Sequence, residues 1–166
     1  MRKKTLENTM SKLHLDEIGD WVERQRKLYA DYFEELRKVK LVLTYYQRVK
    51  DITSQEVQLV KEYKSAWTLF KQDKNFTAEE LEYMVNVYTG MMDESAKNID
   101  QLLMVVNAFV TRMSDARRLA IINTVSENVE QQLMDLKEFN EENKMISIQR
   151  ATEQGEIDYV KRLYGF

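Results

Sequence analysis

The sequence predicts an all-α fold, an elongated antiparallel helical bundle with long coiled-coil-like helices, and three observations carry that prediction. Apolar residues recur at helical spacing along nearly the whole chain. Proline is absent and glycine occurs only four times in 166 residues, too few for the many tight turns of a sandwich or barrel. Helix-start chemistry stands at the points where the spacing is interrupted. The length suits one domain, and residues 1–166 read as a single helical domain.

The first element is a helical arm over about residues 16–50. Its seam runs Ile18, Val22, Tyr29, Tyr32, Leu36, Val39, Leu43 and Tyr46, with Gln25 in register. The steps alternate four and three, as in a coiled coil, and such a helix is roughly 50 Å long. Thr53-Ser54-Gln55-Glu56 fits a capping box and predicts a second helix over about 54–72, although the pattern also reads as a first helix that simply continues.

The next start is marked more strongly. A polar stretch, Gln72 to Asn75, precedes Thr77-Ala78-Glu79-Glu80, a second capping box, and Phe76 is placed to staple onto Leu81. The helix expected over 77–112 carries one stripe: Leu81, Val85, Tyr88, Met92, Ser95, Ile99, Leu102, Val106, Phe109 and Met113. Gly90 inside it marks a point where helices approach closely. Ser114-Asp115 then caps a helix over 115–154. Its stripe is Leu119, Ile122, Val125, Val129, Leu133, Leu136, Phe139 and Ile146, with Asn143 in register. Gly155 ends or loosens this helix. Ile157, Val160 and Tyr164 form a short helix over about 156–164, stopped by Gly165.

Composition narrows the chemistry. Without cysteine there is no disulfide, thiolate zinc site, iron–sulfur cluster or cysteine nucleophile. His14 is the one histidine, so a multi-histidine metal site and the paired Glu-x-x-His motifs of di-iron bundles are excluded. No motif supplies His14 with a catalytic partner, and it reads as a helix-surface residue. The acidic groups Glu79, Glu80 and Glu82, and Glu138, Glu141 and Glu142, read as helix-start charges and a solvated face. No catalytic, cofactor-binding or metal site is expected, nor a small-molecule substrate.

The net charge is −3, unevenly placed. Residues 1–52 carry twelve Lys/Arg and nine Asp/Glu; 53–112 carry six and nine, and 113–166 seven and ten. Acids lie within one or two turns of Arg24, Arg26, Lys27, Arg37, Lys38 and Lys40, so helical pairing accounts for the basic groups and direct nucleic-acid binding is not expected. No apolar run reaches membrane-span length and the basic start has no apolar h-region, so the chain as given reads as soluble and without a signal peptide.

Nine tyrosines and nine methionines are in surplus, and helical spacing places most of them in the core, among them Trp67, Met84 and Met104. Adjacent residues cannot both face inward, so one of Tyr45 and Tyr46, and one of Met91 and Met92, is pushed outward. Tyr45, Tyr46 and the Phe76 turn are the candidate partner contacts. Asn75-Phe76-Thr77 matches the N-glycosylation sequon, but the cap accounts for Thr77.

Several stretches together resemble one family. They are Glu7-Asn8-Thr9-Met10-Ser11-Lys12-Leu13, the run from Asp20 to Leu36, Phe70 to Thr77, Val87-Tyr88-Thr89-Gly90 with Asp93-Glu94-Ser95, Met113 to Leu119, Gln149-Arg150-Ala151, and Val160 to Gly165. In these the chain is similar, in order and over essentially its whole length, to the TraI-type conjugal transfer protein of Bacteroidetes conjugative transposons, which is unrelated to the relaxase–helicase sharing that label. The resemblance implies a non-enzymatic structural or assembly component of a conjugative type IV secretion apparatus. Its partners would be other conjugal-transfer proteins, and its place the periplasm or cell envelope. Family members carry a hydrophobic leader and a short helical stretch before the Glu-Asn-Thr-Met segment. Six residues precede that segment here, so a trimmed chain is expected, with membrane association indirect or through the missing leader. Two other readings stay open, a cytoplasmic coiled-coil adaptor and a nucleic-acid-binding accessory protein. Homo-oligomerisation is open too, since the arm's seam closes either within one chain or between two.

Overall fold

A computed structural model describes residue 27 and residues 42–107 and 113–165. Four helices account for most of them: α1 (Val42–Phe70), α2 (Ala78–Asn107), α3 (Asp115–Glu153) and α4 (Ile157–Tyr164). There is no strand among the described residues, and the fold is an all-α bundle. His14, the arm's seam from Ile18 to Val39, and Phe109 lie outside the described residues.

α1 corrects the expected boundary between 50 and 54, because it runs through Thr53 without a break. The Thr53 hydroxyl does not cap a helix start; it donates to the Val49 carbonyl one turn back, at 2.7 Å. Glu56 turns inward instead of reaching back to the Thr53 amide. The buried series Val49, Ile52, Leu59 and Val60 passes straight through the expected break.

The start of α2 follows the predicted chemistry. The Thr77 amide donates to Glu80 Oε2 at 2.8 Å, and the Glu80 amide donates to Thr77 Oγ1 at 3.2 Å. Phe76 and Leu81, the two members of the staple, are both buried. At the start of α3 the Arg117 amide donates to Ser114 Oγ at 3.4 Å. Gly155 ends α3 at φ 71°, where the left-handed turn lets the Glu156 amide reach back to the Ala151 carbonyl. Gly165 ends α4 in the same conformation. Gly90 is exposed and a side chain there would meet nothing within 4 Å, so it marks no close helix approach.

α3 packs against both α1 and α2, more extensively than those two pack on each other. It runs parallel to α1, as the pairings of Tyr45 with Asp115 and of Asp73 with Ser147 require. The buried residues form two apolar clusters. One joins Leu59, Tyr63, Trp67 and Phe70 of α1 to Leu81, Met84, Val85, Tyr88, Met92 and Ile99 of α2 and Leu133 and Leu136 of α3. Tyr88 is its hub, with ring centroids 4.8 Å from Tyr63 and 5.4 Å from Phe139, both edge-on. The other joins Tyr45, Val49 and Ile52 to Leu102 and Val105 and to Ile122, Val125 and Val129. Each fully buried aliphatic side chain contributes about 1.5–3 kcal/mol, so these stripes hold the three helices together. The α3 stripe departs from expectation at its ends, where Leu119 and Ile146 are exposed and Ser147 and Ala151 are buried instead. On α2, Met104 is exposed rather than core.

Candidate functional site

The densest polar constellation gathers around the turn between α1 and α2. Asp73, fully buried, accepts the Asn75 amide on Oδ1 at 2.9 Å. Its Oδ2 accepts the Ser147 hydroxyl at 2.5 Å and the Tyr164 phenol at 2.7 Å. Asn75 Nδ2 donates back to Ser147 Oγ at 2.9 Å. Arg150, one turn beyond Ser147, donates to the Asn75 carbonyl at 2.7 Å and grips Glu80 in a two-pronged pair at 2.9 and 2.6 Å. That pairing holds the Glu80 carboxyl down at about 2 against an ordinary 4.5, and raises the Arg150 guanidinium. α4 closes the arrangement from outside. Tyr159 donates to the Gln72 carbonyl at 3.0 Å, and Lys74 pairs with Glu156 while lying 4.7 Å from the Tyr159 ring centre.

This cluster holds a hydroxyl beside a carboxylate, as a nucleophilic site would, but Ser147 and Asp73 are both fully buried. Their hydrogen-bonding capacity is used on each other, on Asn75 and on Tyr164, whose phenol is raised by burial first and by its bond to Asp73 second. The arrangement ties the α1–α2 turn, α3 and α4 into one end of the bundle.

A second polar layer lies inside the bundle, where the two apolar clusters meet. Glu56 of α1, fully buried, accepts the Ser95 hydroxyl from α2 on Oε2, while its Oε1 has no partner. Asn98, one turn along α2 from Ser95, donates to Gln132 Oε1 of α3 at 3.0 Å, and Gln132 donates to the Met91 carbonyl at 2.8 Å. Burial pushes the Glu56 carboxyl up to about 7, and the Ser95 bond offsets part of that rise.

The candidate contacts fare differently from one another. Tyr45 is buried in the second cluster and its phenol donates to the Asp115 carbonyl at 3.4 Å, so Tyr46, half-buried beside it, is the member turned outward. Met92 is buried and Met91 half-buried, in the same way. Phe76 is 6 % exposed, held by Phe70 and by its staple, and offers no surface for a partner. Asn75 of the sequon is buried and bonded to Ser147. Among the described residues no group of His, Asp and Glu is placed to hold a metal ion, and no helix is long and apolar enough to cross a membrane.

Sequence reasoning missed Asp73, Ser147 and Glu56 as interior residues, because each is a polar residue type ordinarily placed on a surface. The signal available for Ser147 and Glu56 was register: both continue apolar stripes of their helices. Comparison with known proteins finds no family model, no curated protein and no solved structure that matches this chain.

Proposed function

We propose that this chain is a non-enzymatic structural or assembly component of a conjugative DNA-transfer apparatus of the type IV secretion kind, acting in the cell envelope through helix-mediated protein contacts. What carries the reading is the ordered run of stretches, from Glu7-Asn8-Thr9-Met10 to Val160–Gly165, that resembles the TraI-type conjugal transfer proteins. The geometry is compatible with it. The two polar constellations among the described residues lie at junctions between helices, one inside the bundle and one running from the buried Asp73–Ser147 pair out to the partly exposed Glu80–Arg150 pair, and they bind elements of the bundle to each other. The surface left to partners is built from helix faces, with large apolar side chains exposed at Tyr83, Met134 and Met145.

The test is affinity capture of the tagged protein from cells carrying the whole transfer system, with fractionation of the same cells. Recovery of envelope or secretion components, with the protein in the envelope fraction, is the expected result. Capture of no transfer component, or a protein confined to the cytoplasm, sinks the reading. Salt-dependent DNA binding by the purified chain would favour the nucleic-acid accessory reading instead.

A further inference from the structure

The outer edge of the α2–α3 contact combines exposed apolar groups with charge of one sign. On α2, Tyr83, Val87, Gly90 and Glu94 follow at steps of four, three and four, a single helical line of roughly 17 Å. On α3, Asp135, Phe139, Glu142 and Ile146 follow at the same steps. The helices are antiparallel, as the Glu80–Arg150 and Asn98–Gln132 pairs require, so the two lines face each other across one groove. That register sets Tyr83 opposite Ile146 and Glu94 opposite Asp135.

Among the described residues the floor of this groove is apolar and uncovered. Tyr83 is 63 % exposed and Ile146 40 % exposed, while Val87 and Phe139 are half-buried. The Tyr83 and Phe139 rings lie 6.4 Å apart across it. Gly90 leaves the middle clear, since even a Cβ there would meet nothing within 4 Å. The charged residues in the two lines, Glu94, Asp135 and Glu142, are all acidic. Across Ala78–Asn107 as a whole, six Asp/Glu stand against the single Lys97.

We propose that this groove is a docking site for a basic amphipathic helix of a protein partner, one that lays an apolar edge between Tyr83 and Ile146 and sets Lys or Arg against Glu94, Asp135 and Glu142. Two helical ridges side by side form the groove that a third helix packs into, and their backbone groups are already bonded internally, which leaves no edge for an added strand. The carboxylates select the partner's charge. They also argue against the same face of a second copy, which would set acid on acid, and against an anionic lipid surface. The inference deepens the reading above by naming one contact surface. It is tested with the purified chain, so its failure leaves the transfer assignment standing, and failure of the capture experiment leaves the groove standing.

The probes are two synthetic amphipathic peptides of about 18 residues, a Leu/Lys helix and its Leu/Glu twin with the same apolar face. Binding to the full chain is read by fluorescence anisotropy and located by amide chemical-shift mapping. The Lys peptide is expected to bind at least about tenfold more tightly than its twin, with shifts concentrated in 83–94 and 135–146. Tyr83→Ala with Ile146→Ala should weaken it about tenfold with helicity unchanged by circular dichroism. Asp135→Lys with Glu142→Lys should shift the preference toward the Glu peptide. Absence of binding, shifts mapping elsewhere, variants that bind as the parent does, or self-association of the chain through Tyr83 in sedimentation each overturns the proposal.

Discussion

Ser95 on α2 donates its hydroxyl to the carboxyl of Glu56 on α1, in the interior where the two apolar clusters of the bundle meet. Among the described residues no charged group accompanies the pair. The neighbouring polar groups in that layer, Asn98 and Gln132, are neutral and bonded to each other, and Asp93, Glu94 and Lys97 on α2 and Glu130 on α3 are exposed. An ionised Glu56 would therefore sit buried with one donor and an orphaned Oε1.

That relationship makes stability fall with rising pH. The folded carboxyl titrates near 7 and the unfolded one near 4.5, so between those values the folded chain holds a proton that the unfolded chain has released. Stabilisation from this group is fully present below about 4.5 and is lost as pH rises through about 7, with a difference on the order of 3 kcal/mol. Glu56→Gln removes the titration. In urea unfolding followed across this range, the variant is expected to match the parent near pH 4.5 and to exceed it at pH 8. A parent-minus-variant difference that is flat with pH would show that Glu56 is not the group responsible.

The Glu80–Arg150 pair works in the opposite direction. Glu80 is held at about 2 by Arg150, so its stabilisation is present above 4.5 and is lost as pH falls toward 2. Both side chains are about a third exposed, so solvent screening holds the contribution to on the order of 1 kcal/mol. Arg150→Lys keeps the charge and loses the two-pronged geometry and the bond to the Asn75 carbonyl. The Glu80 carboxyl carbon, followed by NMR titration, should then move its midpoint upward toward 4.5. An unmoved midpoint means that charge alone, without the fork, holds the carboxyl down.

Much of this fold was legible because apolar spacing reports burial directly. Leu81, Val85, Tyr88, Met92, Ser95, Ile99 and Leu102, read as one stripe, are all buried. The two capping boxes show where such reading stops. Thr53-Ser54-Gln55-Glu56 and Thr77-Ala78-Glu79-Glu80 carry the same signature, yet only the second begins a helix. Before Thr77 the chain leaves the helix, with Asp73 and Asn75 making a turn between them. Before Thr53 the apolar series never pauses, and Glu56 has a distant partner, Ser95, that local sequence does not reveal. Asp73 and Ser147 were illegible for the same reason. They are 74 residues apart, and burial of each is tolerable only because the other is there. The groove between α2 and α3 depends likewise on the register of two helices, which neither sequence segment contains.

The docking of the short α4 is expected to weaken when one of its two bonded phenols is removed. Tyr164 donates to Asp73 Oδ2, leans its ring toward Phe70 at 6.3 Å, and follows Val160, which is fully buried. Tyr164→Phe keeps the ring and leaves that carboxylate oxygen with Ser147 as its one donor. A hydrogen bond to a charged group contributes about 1.5–3 kcal/mol, and the loss falls on the docking of α4. Hydrogen exchange of the 157–164 amides should accelerate roughly tenfold or more, while the amides of α2 between 84 and 99 keep their protection. Exchange in α4 equal to the parent's would mean that Val160 and Tyr159 hold it without the phenol.

Thr77 is expected to matter more than Ser114, although both cap helices. Ser114 accepts one amide, at a long 3.4 Å, and the three residues that follow it, Asp115 to Arg117, are exposed. Thr77 belongs to a reciprocal box whose carboxylate, Glu80, is gripped by Arg150 from α3, so the start of α2 is joined to the rest of the bundle as well as to itself. Thr77→Ala should cost about 1 kcal/mol and Ser114→Ala about half that or less, by urea unfolding at neutral pH. The two changes Thr77→Ala and Arg150→Ala should also fail to add, with a coupling above about 0.5 kcal/mol, because each loosens the Glu80 carboxylate that the other relies on. Strict additivity would mean that the cap acts locally and that Arg150 steadies Glu80 without steadying the helix start.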